Sequence, residues 1–127
     1  MILFYNIRGD NMKILCIGHA AYDITIPLDK FVIENTKNRV DERVECGGGP
    51  ASNAAYLLGK WGCDVTFMGV VGNDEYGRYI KKELDSVNVN TDYLELSSEY
   101  KTTSSFIIAN KSNGTRTILT YRPKEIK

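Results

Sequence analysis

An acid, an amide and a run of glycines are the residues of this chain best suited to hold a small polar ligand. They are Asp23, Asn53 and the stretch Cys46-Gly47-Gly48-Gly49-Pro50-Ala51-Ser52, which leads into Ala54-Ala55-Tyr56-Leu57-Leu58-Gly59-Lys60-Trp61. Glycine lacks Cβ, so its backbone takes positive φ and approaches a ligand closely, while a helix behind it offers unpaired N–H groups. Pro50 suits a first helical turn, and Ser52 and Asn53 can bond either the helix start or a ligand. The first chemistry such a bend suggests is phosphate binding. Spacing opposes it. Gly59-Lys60 is followed by Trp61 and preceded by Ala54 where a P-loop has its leading glycine, and Gly47 to Ser52 lacks the third glycine of a dinucleotide fingerprint. The alternative without chemistry is a tight turn ahead of a core helix.

The elements that must position these residues read as α/β. Ile14-Leu15-Cys16-Ile17, bounded by Gly18, suits a strand buried on both faces of a parallel sheet, and Asp23 is expected at its C-terminal end, where open α/β sheets keep ligands. From Ile24 to Glu45 the alternation Ile24, Ile26, Leu28 with Pro27 between reads as one or two edge strands. A helix through Trp61 places Ala51, Ala54, Ala55, Leu58 and Trp61 together and ends at Gly62. Val65 to Gly72 reads as a second buried strand. Asn73-Asp74-Glu75 then caps a helix whose apolar stripe is Tyr76, Ile80, Leu84 and Val87. Beyond Asn90 the character is β: Tyr93 to Leu96, then Thr103–Ala109 and Thr117–Tyr121 flanking Asn113-Gly114, a strong hairpin signal. Strand, helix, strand, helix in this order indicates a parallel, doubly wound sheet.

Composition bounds the partners. The 127 residues fit one domain, and 16 basic against 16 acidic residues give no global field toward nucleic acid or an anionic membrane. Cys16, Cys46 and Cys63 share no metal-ligand spacing, and His19 stands alone among histidines, so no Cys/His metal site is expected. Ile2-Leu3-Phe4-Tyr5 is too brief for a signal core or a membrane span, and a cytoplasmic protein is expected. Residues 1–11 precede a second methionine, Met12, and read as an N-terminal extension to a domain over 12–127.

The paired glycines, Asn53 with its small neighbours, and then Gly62 and Gly72 at fixed offsets resemble the first signature of the ribokinase-like, or phosphofructokinase-B type, carbohydrate kinases. Lys13 to Asp23 is similar to that family's opening strand, glycine and sugar-binding Asp. The resemblance covers roughly Met12 to Pro123. It implies a ribokinase-like, doubly wound, mostly parallel sheet, here partial, with a small β-sheet lid built from about 24–46 and 103–122. It also implies phosphoryl transfer from ATP to a sugar hydroxyl, with Asp23, Gly48, Gly49 and Asn53 holding the sugar. Arg116 and Arg122, on or beside the hairpin, are possible substrate or phosphate contacts, with solvated edge residues as the plainer reading. Pro50 stands where ribokinase itself has Lys, so ribose specificity is not carried over.

The family's second signature, an Asp-Thr-x-Gly-Ala-Gly-Asp run supplying the catalytic base and anion hole, has no counterpart in these residues. No catalytic residue is therefore assigned, and the ATP and Mg2+ sites are expected largely outside this chain. Without them the chain is expected to be inactive. A nucleoside kinase of the same family, or a non-catalytic sugar-binding or dimerisation module, is the competing reading. Exposed lid strands imply a homodimer.

Overall fold

The computed structural model describes residues 1–5 and 12–124 of the chain. Its first sheet has the order β1-β2-β5-β6, from β1 (Ile2–Tyr5), β2 (Lys13–Ile17), β5 (Asp64–Gly72) and β6 (Asn90–Ser97). The second has the order β4-β3-β7-β8, from β3 (Ala21–Leu28), β4 (Val44–Gly48), β7 (Ser104–Asn110) and β8 (Thr115–Tyr121). Helices α1 (Pro50–Lys60) and α2 (Glu75–Asp85) precede β5 and β6. The expected α/β fold is present, but the second sheet, the expected lid, has as many strands as the first rather than being small.

In the main sheet β2, β5 and β6 run parallel, with Cys16 beside Phe67 and Met68 beside Tyr93. Alternation sends Ile14, Cys16, Val65 and Phe67 to one face, where they form a single core with Ala55, Ile80 and Leu84 of the two helices. Phe67, Ile80, Leu84, Val65, Val71 and Cys16 are fully buried there. Leu15, Thr66 and Met68 point the other way and are less covered.

Part of the expected extension belongs to this sheet. Ile2–Tyr5 pairs antiparallel with β2, Ile2 opposite Cys16, and the Met1 amino group donates to the Ile17 carbonyl at 2.5 Å. The free edge of β2 offers unpaired backbone groups, and Ile, Phe and Tyr are strand-prone residues that accept them. The rest of the extension, 6–11, lies outside the described residues.

Helix α1 turns the expected face to the core, with Ala51 and Ala55 buried and Ala54 and Leu58 packed against them, but Trp61 does not join them. Its buried residues are Ala51, Ser52, Ala55 and Gly59, and Trp61 is 68% exposed. At 3.6 residues per turn Trp61 falls roughly 200° round from Gly59, on the outward side. Gly62, at φ 83°, ends the helix as expected.

Helix α2 begins on a polar knot. Asp74 is its N-cap and accepts from the Gly77 N–H (2.9 Å), the Thr102 N–H (2.9 Å) and the Thr102 hydroxyl (2.6 Å), while Gly72 N–H donates to Thr102 Oγ1 at 2.9 Å. One carboxylate thus ties the end of β5, the start of α2 and the approach to β7. Burial alone would raise the Asp74 carboxyl, but the bonds from Thr102 and Gly77 outweigh it and hold it below its ordinary value. A depressed carboxyl stabilises the fold fully above the unfolded value and loses that contribution as pH falls through the folded one. Asp74→Asn should therefore cost about 0.5–2 kcal/mol at neutral pH, with wild type and variant converging in acid below about pH 4. Urea midpoints measured across that range check this; a gap that persists unchanged into acid would contradict it.

In the lid, β3 pairs antiparallel with β4 and parallel with β7, and β7 and β8 form the expected hairpin through Lys111–Gly114. Two sequence expectations are corrected here. Strand β3 is internal to the lid sheet rather than an edge, and Asp23 is its third residue rather than a residue at the tip of the opening strand, which ends at Ile17. Pro27 is accommodated because β4 pairs only as far as Thr25, leaving Pro27 with β7 alone, where no second ladder needs its missing N–H.

Candidate functional site

The chain leaves the main sheet after Ile17, enters the lid at Ala21, and returns at Gly48 directly into α1. Two crossings side by side create the site. In the β3–β4 ladder Ala21 faces Gly48 and Asp23 faces Cys46, so Asp23 and Gly48 are diagonal neighbours on one face. The Asp23 carboxylate lies against the Gly48 backbone so closely that a Cβ at Gly48 would overlap it. Gly49, with φ 94°, then turns the chain into the helix, and a Cβ there would come within 2.6 Å of the His19 carbonyl oxygen. Only glycine fits both demands.

No side chain caps α1; Pro50 occupies its first turn and the Asn53 N–H donates to the Gly49 carbonyl at 2.9 Å. Asn53 itself is exposed. Ser52, by contrast, is buried, with its N–H directed at the His19 carbonyl at 3.4 Å.

A concavity of about 320 Å³ opens beside this crossing, lined by Ile17, Gly18, His19, Met68, Gly69, Val70 and Arg122. Burial lowers the His19 pKa, the Arg122 cation lowers it further, and Asp23 opposes both. A neutral imidazole can donate from one nitrogen and accept at the other. His19 was not among the residues singled out from the sequence, although a sole histidine directly after the strand-ending Gly18 was a usable signal.

The structure brings Asp23, Gly48, Gly49 and Asn53 to one bend and sets Arg122 beside His19. It separates Arg116 from them. Arg116 pairs with Ala109 on the exposed strand β8, six residues before Arg122 and so roughly 20 Å away along an extended chain. The bend presents a carboxylate acceptor and open backbone, and the concavity beside it, lined by none of Asp23, Gly48, Gly49 and Asn53, presents an imidazole and a cation. Among the described residues no helix is long and apolar enough to cross a membrane, and no group of three or more His, Cys, Asp or Glu could hold a metal ion.

Two mixed sheets, two helices and a Gly-Gly bend facing an acid make up the α/β fold that holds these residues. Residues 11–126 match the pfkB family carbohydrate kinases, and the chain belongs to that family. It is 30% identical over 112 residues to ketohexokinase of Mus musculus, covering 88% of this chain and 38% of that protein. It is 31% identical over 109 residues to a nucleoside kinase of Methanocaldococcus jannaschii, covering 83% of this chain and 35% of that one. The crystal structure of a fructokinase with bound ATP from Xylella fastidiosa superposes with a TM-score of 0.70 at 28% identity, over 87% of this chain and 33% of that chain. This chain thus spans about a third of the length of these relatives.

Proposed function

We propose that this chain is the N-terminal, substrate-binding part of an ATP-dependent sugar kinase. The observation that carries this reading is the Asp23 carboxylate held against the Gly48 backbone at the entrance to α1. In this reading Asp23 accepts two neighbouring hydroxyls of a polyol, each charged hydrogen bond contributing about 1.5–3 kcal/mol. Gly48 and Gly49 let the ring approach the backbone, and the Asn53 amide both donates and accepts. Arg122 lies where it can meet an acceptor-bearing end of the substrate, a role its distance along β8 denies Arg116.

The relatives' names support two substrate classes, sugars and nucleosides, and both present adjacent hydroxyls. A thermal-shift panel of fructose, ribose, 2-keto-3-deoxygluconate and adenosine separates them. At least one should raise the melting temperature, and a panel without any shift would count against a substrate site here.

Phosphoryl transfer requires about 8 kcal/mol or more off the barrier, whereas a helix N-terminus supplies ~2 at most. Among the described residues no cluster of His, Cys, Asp or Glu could hold a metal, and ATP and Mg2+ belong to other parts of the kinase in this reading. The 127-residue chain alone is expected to show no turnover of ATP with any of these ligands in a coupled assay, and measurable turnover would overturn that expectation. Pairing through lid strands into a homodimer, in a cytoplasmic enzyme, completes the proposal, and concentration-dependent sedimentation tests the pairing.

A further inference from the structure

The lid is fastened to α2 at its root by contacts that the substrate reading does not use. Tyr22 of β3 stacks on Tyr76 of α2 with ring centroids 4.1 Å apart and planes 8° from parallel, and meets Tyr79 edge-on at 5.1 Å. Pairs of this geometry contribute beyond the area they bury. One helical turn further, the Glu83 carboxylate accepts the Gly47 N–H at 2.9 Å, bridging 36 residues of sequence. The Tyr79 hydroxyl also reaches to 3.5 Å from the Glu45 carbonyl. Residues 22, 45 and 47 are therefore held by one face of one helix, spaced 76, 79, 83.

These anchors alternate with the site. Along β3 and β4 the side chains of Asp23 and Cys46 point to one face of the lid, and Tyr22 and position 47 to the other. The helix grips the back of the two strands whose front presents Asp23 and Gly48.

From this arrangement we infer that Glu83 is a positioning residue of the substrate site: by holding the Gly47 N–H it fixes where Gly48 and Asp23 stand relative to α1. The inference rests on the substrate reading proposed above. A bond to a carboxylate acceptor is directional and ties β4, whose register is set by its ladder with β3, to one position against α2. The surroundings keep it ordered. Burial raises the Glu83 carboxyl above its ordinary value, with the Gly47 N–H opposing, and the residue is half-buried. Burial first, and then the nearby Glu45, push the Tyr22 hydroxyl up to about 12, so Tyr22 stays uncharged across the physiological range.

The test compares Glu83→Ala with Glu83→Gln, whose amide oxygen can still accept the Gly47 N–H. Affinity for fructose, ribose and adenosine is measured by calorimetry, and amide exchange is followed at Gly47 and, as a reference in the main sheet, at Val65 and Phe67. Glu83→Ala should weaken the bound ligand about tenfold and speed exchange at Gly47 at least tenfold, with β5 unchanged. Glu83→Gln should restore both to within about twofold of wild type. The positioning role is overturned if Glu83→Ala binds as tightly as wild type, if β5 exchange accelerates as much as Gly47, or if Gln does not restore affinity. A wild-type chain that binds none of the three ligands overturns the substrate reading itself, a result distinct from these.

Discussion

Asp23→Ala is expected to abolish ligand binding while leaving the fold intact. The carboxylate is half-buried in β3, and the proposed contact is two charged hydrogen bonds to adjacent hydroxyls. Losing both removes about 3 kcal/mol or more, a drop in affinity of roughly 100-fold or greater. The effect on stability should be small, because no side-chain hydrogen bond within the chain depends on Asp23 among those described for the lid. Calorimetric titration of the ligand that shifts the melt, into wild type and variant, reads this directly. An Asp23→Ala chain that binds within threefold of wild type would remove the acid from the site.

The second large effect falls on stability. Phe67 is completely buried on β5, between the strand β2 and the two helices, and belongs to the cluster formed with Cys16, Ala55, Ile80 and Leu84. Truncation to alanine removes the transfer energy of the ring and leaves a cavity that a parallel sheet, pinned on both sides by β2 and β6, can close only partly. Phe67→Ala should cost about 3–5 kcal/mol, a large share of the ~5–15 kcal/mol by which such domains are stable. Urea unfolding followed by circular dichroism checks it, with the midpoint moving by roughly 1–4 M at ordinary slopes. A loss below about 1 kcal/mol would show that the ring is not central to the core.

Much of this was legible in the sequence because the relevant signals are local. Asp74 declared a helix start by its type and by the residues after it, Gly62 declared an end, and Asn113-Gly114 declared a hairpin; each is governed by backbone chemistry within a few residues. The Gly-Gly bend before α1 was readable for the same reason. What escaped reading depends on partners distant in sequence. Trp61 was grouped with Ala51, Ala54, Ala55 and Leu58 by helical spacing, but it stands just past the end of α1 and is exposed, while Gly59 packs against Val87 and Val89. Strand β3 looked like an edge because of Pro27, whose tolerance follows from where β4 stops pairing. Ile2–Tyr5 was read as an appendage, yet the open edge of β2 recruits it. The contact of Asp23 with Gly48 depends on the register of β3 with β4, which no single-strand pattern reveals.

The family's resemblance supplied the pairing of acid and bend before the coordinates did, and the register explains why the two meet despite the corrected position of Asp23. With Asp23 on β3 rather than at the tip of β2, the proposed site lies between the second sheet and the start of α1. Its geometry then depends on how the lid is held, which is why the grip of α2 on the back of β3 and β4 bears on binding.

The most direct test is a crystal structure of this chain with the ligand that raises its melting temperature. The account predicts two adjacent ligand hydroxyls within hydrogen-bonding distance of the Asp23 carboxylate, with the ring against the backbone of Gly48 and Gly49. A ligand bound elsewhere, with the Asp23 carboxylate facing only solvent, would contradict it.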